Sequence, residues 1–494
     1  MSRRGFLRRG GSAAALGALL GAGGFEEVRA QDGPARTGTD GPRARGRAKN
    51  VIFLVADGMS AGTLMLGDLY SRAVKGKGSV WVEWLSKAPG TGTRAPIARA
   101  MLDTSECHGG VTDSAAAATA WSIGEKTVNG AINVTPDGRA PEPLWVRAKR
   151  AGKRIGVVST ARITHATPAG YVANIHQRDL EGLIAEQMVA RGVDVMLGGG
   201  KRFFPDALLA TRGGVVVHDL GELRRVDPWA ALNGGLLGAF TDSHMSFEIE
   251  RSRETEPSLA EMTRAALSVL ENAEDGFALH VEGGRVDHAA HYNDAGAIVR
   301  EMVAFEDALG VCLEWAAGRS ADDTLVIATT DHGNANPGLA DYGAEGLKKF
   351  ETLLTYKRSL YWCLREFRRG SERTGAALAR LMREGTGEEL GAEEVAYLDR
   401  WVRGEAVDIE THRNMNMGPM GAILANRNGV GFVGPNHTGD LVECTAQGPG
   451  SEGLWGARHL TDLERVVAEG VGLPRRGEER YEVGEGVRLG TEPD

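Results

Sequence analysis

Carboxylate and imidazole side chains follow three apolar runs of this chain, and each run has the composition of a buried β-strand. The pairs of run and polar residues are Val51–Ala56 with Asp57, Gly276–Val281 with Glu282, Asp287 and His291, and Thr324–Thr329 with Asp331 and His332. In an open α/β sheet, binding sites form outside the carboxyl ends of the strands, so these side chains are expected to meet at one edge. Carboxylate oxygens and imidazole nitrogens are ligands for zinc and magnesium. The pattern therefore predicts a site for divalent metal ions.

Two features of spacing refine this metal-site hypothesis. Asp287 and His291 are four residues apart, so on a helix they lie on one face about one turn apart, where one metal ion can bridge them. A further imidazole, His437, follows the apolar run 431–433, which we interpret as a strand of the sheet, and leads into a Thr-Gly pair. His412 competes with His437 for this role, and the apolar run before His437 favours His437.

A hydroxyl group stands at the mouth of an alanine-rich helix. Ser114 precedes Ala115–Ala118, a run that favours helix strongly. Free backbone N–H groups and the helix dipole at such an end attract phosphate and would stabilise a serine alkoxide. Metal ligands together with this hydroxyl predict hydrolysis by a metal-activated nucleophile. The alternative for Ser114, considered by itself, is a simple N-cap residue.

The elements that must position these residues alternate between strand and helix. Further candidate strands are Arg154–Ser159 and Asp194–Leu197, and candidate helices are Leu144–Ala151, Leu180–Ala190, Ser258–Ala273 and Ala289–Ala317. Continuous apolar strands alternating with helices predict an α/β fold with a large, mostly parallel central sheet and helices on both faces.

Residues 340–412 break this rhythm and predict a mainly helical insertion. Its candidate helices are Leu347–Arg369, Ala376–Glu384 and Glu393–Val402. The insertion either contacts substrate or a partner subunit, or packs on its own apolar stripe, and the sequence leaves both interpretations open.

Composition excludes several classes of protein. The 494 residues are 42% hydrophobic and 25% charged, which is ordinary for a soluble globular protein. The net charge of −9 makes the chain a poor partner for nucleic acid or an anionic membrane, so a phosphate substrate would need local positive charge. The four cysteines are not spaced for a thiolate zinc site.

The two ends of the chain differ from its middle. Twin arginines Arg3-Arg4, the short apolar run 12–20 and the small-residue site 28–30 predict a twin-arginine signal peptide over residues 1–30, and hence a periplasmic or secreted protein. The run is shorter than the roughly 20 residues of a transmembrane helix, so stable membrane insertion is not expected. We predict a disordered linker at 31–48, one catalytic domain at 49–473 and a polar tail at 474–494.

Seven segments, in order along the chain, together resemble the alkaline phosphatases. They are Val55–Met59, Thr112–Ala115, Thr164–Pro168, Leu197–Gly200, Val281–His291, Thr330–His332 and His437–Gly439. The resemblance implies one zinc site of Asp287, His291 and His437, a second of Asp57, Asp331 and His332, and a third site, normally magnesium, of Asp57, Thr167 and Glu282. It implies that Ser114 is the nucleophile, that Arg178 grips the phosphate and that Asp113 orients Arg178.

Two histidines depart from one branch of that family. Enterobacterial members carry Asp and Lys where His165 and His288 stand, and two histidines are closer to the animal type. The resemblance therefore leaves the identity of the third metal open, with His165 and His288 tuning that site.

The function expected from the resemblance is hydrolysis of small phosphate monoesters through a phosphoserine intermediate, by a homodimer that is most active at alkaline pH. A phosphodiesterase on the same scaffold, or a phosphate- or metal-binding protein without catalysis, are the alternatives. A sulfatase would need x-Pro-x-Arg after its nucleophile, whereas four alanines follow Ser114.

Overall fold

The structure is a computed structural model that describes residues 48–87, 97–205, 208, 214–318, 323–405 and 418–474. The chain divides into two units, Met1–Arg45 and Gly46–Asp494. The first unit lies outside the described residues, and so do the predicted signal peptide, almost all of the predicted linker and tail, and His412. The domain boundaries drawn from the sequence stay predictions.

A ten-stranded sheet forms the centre of the described part of the chain. The strands in chain order are β1 Asn50–Val55, β2 Ile97–Asp103, β3 Arg154–Arg162, β4 Val195–Gly199, β5 Val215–Val217, β6 Leu236–Ala239, β7 Phe277–Glu282, β8 Thr324–Thr329, β9 Gly333–Asn334, β10 Gly338–Leu339, β11 Val430–Gly431, β12 His437–Thr438, β13 Val442–Gln447 and β14 Trp455–His459. Across the large sheet the order is β14-β2-β13-β8-β1-β7-β3-β4-β6-β5, and two small ribbons pair β10 with β11 and β12 with β9.

Strand β1 occupies the middle of the sheet and pairs in parallel with β7 and β8. All three strands are buried along their whole length, which is why each is mostly apolar, although β7 includes the buried His280. Strand β13 runs antiparallel to β2 and β8, and the other pairs of the large sheet are parallel. The predicted mostly parallel sheet is therefore confirmed.

Helices cover both faces of this sheet. Their bounds are α1 Ala61–Lys75, α2 Val80–Ser86, α3 Ser114–Ile123, α4 Leu144–Arg150, α5 Ala166–Gly170, α6 Glu181–Ala190, α7 Leu220–Leu223, α8 Pro228–Gly234, α9 Leu259–Leu270, α10 Arg285–His291, α11 Ala295–Ala317, α12 Gly343–Phe350, α13 Leu360–Arg369, α14 Gly375–Thr386, α15 Ala392–Val402, α16 Gly418–Asn428 and α17 Thr461–Val471, with 3₁₀ turns at Lys201–Phe203, Glu351–Thr355 and Ser451–Gly453. Alternate β1 residues enter two different apolar clusters: Phe53 packs with α3 and α4, and Leu54 packs with α9 and α11.

The predicted single helix Ala289–Ala317 is wrong, because the chain forms α10 and α11 with a break between them. Asn293 has a positive φ of 52°, which ends a helix, and the Asp294 carboxylate accepts a hydrogen bond from the Ala297 N–H at 2.9 Å. The short helix α10 begins before residue 289, so it carries both Asp287 and His291.

The described part of the insertion is helical, as predicted, although the continuous helix Leu347–Arg369 is wrong. That stretch divides into α12, a 3₁₀ turn and α13, and Ser359 caps α13 by accepting from the Trp362 N–H. Helices α12 to α15 share one apolar cluster with Leu66 of α1 and Val299 of α11. The described part of the insertion thus packs on its own apolar stripe and docks it on the main domain.

Two further observations bear on the sequence predictions. Within the described part of the chain, no helix combines the length and the apolarity that crossing a bilayer requires. All four cysteines are described, and each is a free thiol.

A glycine pair tests how tightly α1 packs beside the loop that follows Asp331 and His332. A Cβ built on Gly62 would lie 1.8 Å from the Pro337 carbonyl oxygen, whereas one on Gly182 of α6 would meet nothing within 4 Å. We expect Gly62→Ala to destabilise the protein by about 1–3 kcal/mol and Gly182→Ala to stabilise it by up to about 1 kcal/mol. Urea unfolding of the two variants checks this, and equal midpoints would contradict it.

Candidate active site

The candidate site lies at the carboxyl ends of the three central strands. Asp57 stands two residues after β1, Glu282 is the last residue of β7, and Asp331 stands two residues after β8. Because β1 lies between β7 and β8 and all three run parallel, the three carboxylates converge at one edge of the sheet. All three are fully buried.

The first group of donor atoms consists of Asp287, His291 and His437. The Nε2 atoms of the two histidines lie 3.1 Å apart, and the Asp287 carboxylate lies 3.4 Å from His291 and 3.5 Å from His437. The Nδ1 atoms of the histidines donate to the carbonyl oxygens of Pro435 (2.7 Å) and Thr112 (2.9 Å). In the neutral tautomers that these two bonds select, the Nε2 lone pairs face each other, an arrangement that a shared cation would stabilise.

The second group consists of Asp57, Asp331 and His332. His332 Nε2 lies 3.1 Å from an Asp331 oxygen and 3.7 Å from an Asp57 oxygen, and its Nδ1 faces the Gly333 carbonyl at 3.3 Å. The Ser114 hydroxyl oxygen lies 3.2 Å from the same Nε2 atom. This geometry places the predicted nucleophile beside the predicted second metal site.

The third group consists of Asp57, Thr167, Glu282 and His165. The Thr167 hydroxyl donates to Asp57 at 3.5 Å, and the donor atoms of Asp57, His165 and Glu282 lie within 4.8 Å of one another. The Ser159 hydroxyl donates to one Glu282 oxygen, and the other Glu282 oxygen has no partner. His165, expected only to tune this site, is thus close enough to serve as a ligand.

The unpaired polar atoms at this edge show that the residues fit divalent metals. Asp57 Oδ1, Asp331 Oδ2, Glu282 Oε1 and His165 Nδ1 are all buried without a hydrogen-bond partner. Burial raises the pKa of Glu282 to about 7, and burial followed by repulsion from Asp331 raises the pKa of Asp57 well above its ordinary value. Buried carboxylates that lack a countercharge cost stability, and bound cations would remove that cost.

Helix α3 begins at Ser114, as predicted, but its N-cap is Asp113. The Asp113 carboxylate accepts from the Ala116 N–H at 2.9 Å, so the alternative interpretation of Ser114 as an N-cap is wrong. The cap assignment leaves the Ser114 hydroxyl available for chemistry, and that hydroxyl is buried at the start of the helix. The signal in the sequence was the aspartate before the serine, since aspartate is a strong N-cap residue.

Asp113 also holds Arg178, the predicted phosphate-binding arginine. One guanidinium nitrogen of Arg178 donates to Asp113 at 2.9 Å, and the other donates to His165 Nε2 at 3.1 Å. The Gly130 N–H donates to the same Asp113 oxygen at 3.0 Å. These bonds fix the planar fork of the arginine over an open cavity of 520 Å³ that Ser114, Arg178 and His288 line.

His437 reaches this site by a route that the sequence pattern did not predict. The apolar run before it contributes only to β11, a two-residue strand that pairs with β10 and not with the central sheet. His437 itself lies in β12, paired with Asn334 in the segment that follows His332. The expectation that an apolar sheet strand delivers His437 is therefore wrong, and a local antiparallel ribbon delivers it.

Sequence reasoning missed three residues near the site. Asn334 donates to the Asp287 carboxylate at 2.6 Å, and its position three residues after Asp331 could have revealed it. Arg285 donates to His288 Nδ1 at 3.1 Å, and the His244 ring centre lies 4.2 Å from that of His288. His244 lies in the loop between β6 and α9, where nothing in the sequence pattern singles it out from the other isolated histidines.

Comparison with known proteins identifies the family to which the chain is similar. The family described as alkaline phosphatase matches residues 48–473. Alkaline phosphatase 3 of Bacillus subtilis is 30% identical over 439 residues, which are 85% of this chain and 88% of that protein. The repressible alkaline phosphatase of Saccharomyces cerevisiae is 34% identical over 320 residues, or 58% of this chain, so the match spans about half (55%) of that relative.

A solved structure agrees with the sequence comparison. The crystal structure of Thermus thermophilus alkaline phosphatase superposes with a TM-score of 0.78 at 31% identity, covering 87% of this chain and 92% of that chain. The family profile and the relatives confirm the resemblance that the seven sequence segments predict. This chain belongs to the alkaline phosphatase family of enzymes.

Proposed function

We propose that this protein is an exported phosphomonoesterase that converts small phosphate monoesters to an alcohol and inorganic phosphate through a phosphoserine at Ser114. The observation that supports this proposal most is the Ser114 hydroxyl, 3.2 Å from His332 Nε2 and in the same cavity as Arg178. A buried hydroxyl beside metal-ligand side chains and a fixed guanidinium is the arrangement that phosphoryl transfer to serine needs.

We propose two zinc ions and one magnesium ion as cofactors. Asp287, His291 and His437 would hold one zinc, Asp57, Asp331 and His332 the second, and Asp57, Thr167 and Glu282 the magnesium, with His165 beside it. When bound, such ions supply positive charge that lowers the pKa of a serine hydroxyl or a water and stabilises the attacking and leaving oxygens.

The chain's own residues orient the substrate in this proposal. Arg178, held by Asp113 and lining the cavity, has further N–H groups that can donate to oxygens of a phosphoryl group. Free N–H groups at the start of α3 add positive potential beside the Ser114 oxygen. Ser114 then attacks the phosphorus, the alcohol leaves, and water cleaves the phosphoserine to release phosphate.

Two observations weigh against the alternatives. The lining of the 520 Å³ cavity draws on residues 111–178, 287–291 and 436–437, and the described part of the insertion contributes none, so it builds no second subsite for a diester there. A protein that only binds phosphate or metal would have no use for a hydroxyl placed beside His332.

The test of this function is a comparison of chromogenic phosphate monoester and diester hydrolysis from about pH 6 to about pH 11. We expect faster turnover of the monoester, rising toward alkaline pH, lost in EDTA and restored by zinc with magnesium. A preference for the diester would favour the alternative phosphodiesterase, and metal-loaded protein that turns over neither ester would overturn the proposal.

The third metal site should respond to pH. Because burial raises the pKa of Glu282 from 4.5 to about 7, a proton must leave that carboxyl before it can bind a cation below neutral pH. We expect magnesium affinity to rise with pH up to and through about pH 7, by about tenfold per unit for each proton released, because Glu282 and Asp57 both have raised pKa values and both must lose a proton. Calorimetric titration of metal-free protein in two buffers measures the released proton, and an affinity that is constant below pH 7 would contradict the expectation.

We also propose that export by the twin-arginine route delivers a homodimer to the periplasm or the medium. The proposal rests on the first thirty residues and on the family resemblance. N-terminal sequencing of protein from the extracellular fraction tests the cleavage, and light scattering tests the dimer. An intact N-terminus in the cytoplasmic fraction, or a monomer, would contradict the respective part.

A further inference from the structure

Three histidines cluster on one side of the candidate active site. The ring centre of His244 lies 4.2 Å from that of His288 and 5.4 Å from that of His165, and His165 lies 5.7 Å from His288. His165 and His288 line the cavity that holds Ser114, whereas His244 is not among the residues that line it. None of the metal-binding or phosphate-binding roles proposed above involves His244.

His288 has one nitrogen committed to a neighbour. Arg285 donates to His288 Nδ1 at 3.1 Å. A guanidinium group has no hydrogen-bond acceptor, so Nδ1 cannot be the donor in this contact. Nδ1 is therefore the acceptor, and in the neutral ring Nε2 carries the hydrogen. Arg285 is itself fixed, because it is buried and its guanidinium carbon lies 3.6 Å from the centre of the Phe247 ring.

His244 is contacted by Arg162, which forms an ion pair with Glu181. The Arg162 guanidinium contacts His244 Nε2, and the Arg162 backbone N–H faces His244 Nδ1 at 3.3 Å. The Nε atom of Arg162 lies 2.9 and 2.8 Å from the two oxygens of Glu181, which is also hydrogen-bonded by the Thr164 hydroxyl. Glu181 is buried, so this carboxylate anchors the arginine and, through it, the His244 ring.

The His244 and His288 rings contact each other, so the residues that hold His244 also restrain His288. His244 meets His288 with an interplanar angle of 61°, an edge-to-face arrangement that restricts rotation of the His288 ring. His288 is thus contacted by both Arg285 and His244, and its remaining hydrogen-bonding atom is the Nε2–H donor.

We infer that His244 is a positioning residue for His288, and that Glu181, Arg162 and His244 together hold the His288 imidazole so that its N–H can donate to the anionic group of a substrate in the cavity. This inference rests on the proposed function. Because His244 contacts neither Ser114 nor the predicted zinc ligands, its effect should fall on binding of the phosphoryl group more than on the chemical step.

A double-mutant cycle tests the inference in the metal-loaded enzyme. The variants are His244→Ala, His288→Ala and the two combined, and the readouts are kcat, KM, the inhibition constant of inorganic phosphate and the metal content. We expect His244→Ala to raise KM and the inhibition constant about fivefold, to change kcat less than about twofold, and to have no further effect once His288 is alanine.

Two further variants serve as a conservative replacement and as a control. His244→Gln retains an amide oxygen that can accept from Arg162, so we expect it to recover part of the lost phosphate affinity; it also replaces His244→Ala in the cycle if that variant fails to fold. The exposed His218, replaced by alanine, is the matched control and should change none of the readouts.

The outcomes separate this inference from the proposed function. Equal effects of His244→Ala in the presence and absence of His288, unchanged phosphate inhibition, or loss of bound metal would each overturn the positioning role. A wild-type enzyme that is active on monoesters while the cycle is additive overturns only this inference. A metal-loaded wild-type protein without monoesterase activity would overturn the proposed function instead.

Discussion

Replacing Ser114 with alanine is expected to lower turnover of a phosphate monoester by at least about 1000-fold, because the residue that accepts the phosphoryl group is removed. The hydroxyl lies 3.2 Å from His332 Nε2 among the predicted metal ligands, and no other residue is proposed to form a covalent intermediate. Steady-state hydrolysis of a chromogenic monoester by metal-loaded wild type and variant measures the loss.

The same substitution should leave the fold intact. Asp113, not Ser114, caps helix α3, and alanine is a strong helix former, so the thermal midpoint and the metal content should stay close to those of the wild type. Metal-loaded Ser114→Ala protein that retains full turnover would contradict the nucleophile assignment. A variant that loses its metals or unfolds would show instead that Ser114 has a structural role.

Replacing His437 with alanine is expected to remove one bound zinc ion and to lower activity at least about 100-fold. Loss of residues that merely support a ligand costs 10–100-fold in metal affinity or activity, so loss of a direct ligand should cost no less. His437 Nε2 lies 3.1 Å from that of His291 and 3.5 Å from Asp287. Its removal would leave only these two predicted ligands at the site.

Metal content by mass spectrometry and activity, measured on the same preparation, check this expectation. His218→Ala is the matched control, because His218 is exposed and remote from the predicted ligands in the sequence. Addition of zinc at high concentration should restore part of the activity of His437→Ala. Wild-type metal content and activity in His437→Ala would contradict the ligand assignment.

The central strands could be predicted from the sequence because they are buried on both faces. Strands β1, β7 and β8 are mostly apolar, and the polar residues that end them or follow them mark the edge where the site forms. The pattern could not reveal β2 or β13, in which buried residues alternate with more exposed ones such as Met101 and Glu443. Such alternation is a weaker signal than an apolar run when the strands are short.

The breaks between helices could not be predicted from the spacing of apolar residues alone. The stretch 289–317 keeps its apolar residues at helical spacing through Asn293, but the positive φ of Asn293 and the cap by Asp294 end one helix and begin another. An Asn-Asp pair inside an apolar pattern was the available signal, since both residues favour turns and caps. The break matters because it fixes the short helix that carries Asp287 and His291.

Some residues of the candidate site could be predicted from the sequence and others could not. Residues next to strand ends could be found from the sequence, because the fold class places all strand ends at one edge. His437 and His244 arrive through a short ribbon and a loop, whose positions depend on contacts far away along the chain, and no local pattern encodes those contacts. The roles of Arg178 and Asp113 came from the family resemblance, and their 2.9 Å ion pair is consistent with those roles.

Local charge also resolves an apparent conflict between an acidic chain and an anionic substrate. The net charge is −9, yet Arg178 lines the cavity and Arg285 contacts His288, which also lines it. Together with bound metal ions, these guanidinium groups would supply the positive potential that a phosphate ester requires.

Acid-quench mapping of phosphate on the protein tests the central claim, a phosphoserine at Ser114 that requires bound metal, most directly. Wild-type enzyme is mixed with excess monoester, quenched in acid, digested and analysed by mass spectrometry, with and without prior removal of metal by EDTA. The account predicts one phosphate on the peptide that contains Ser114, in the metal-loaded sample alone. Phosphate on another residue, or full turnover of the metal-loaded enzyme with no phosphopeptide at any quench time, would contradict it.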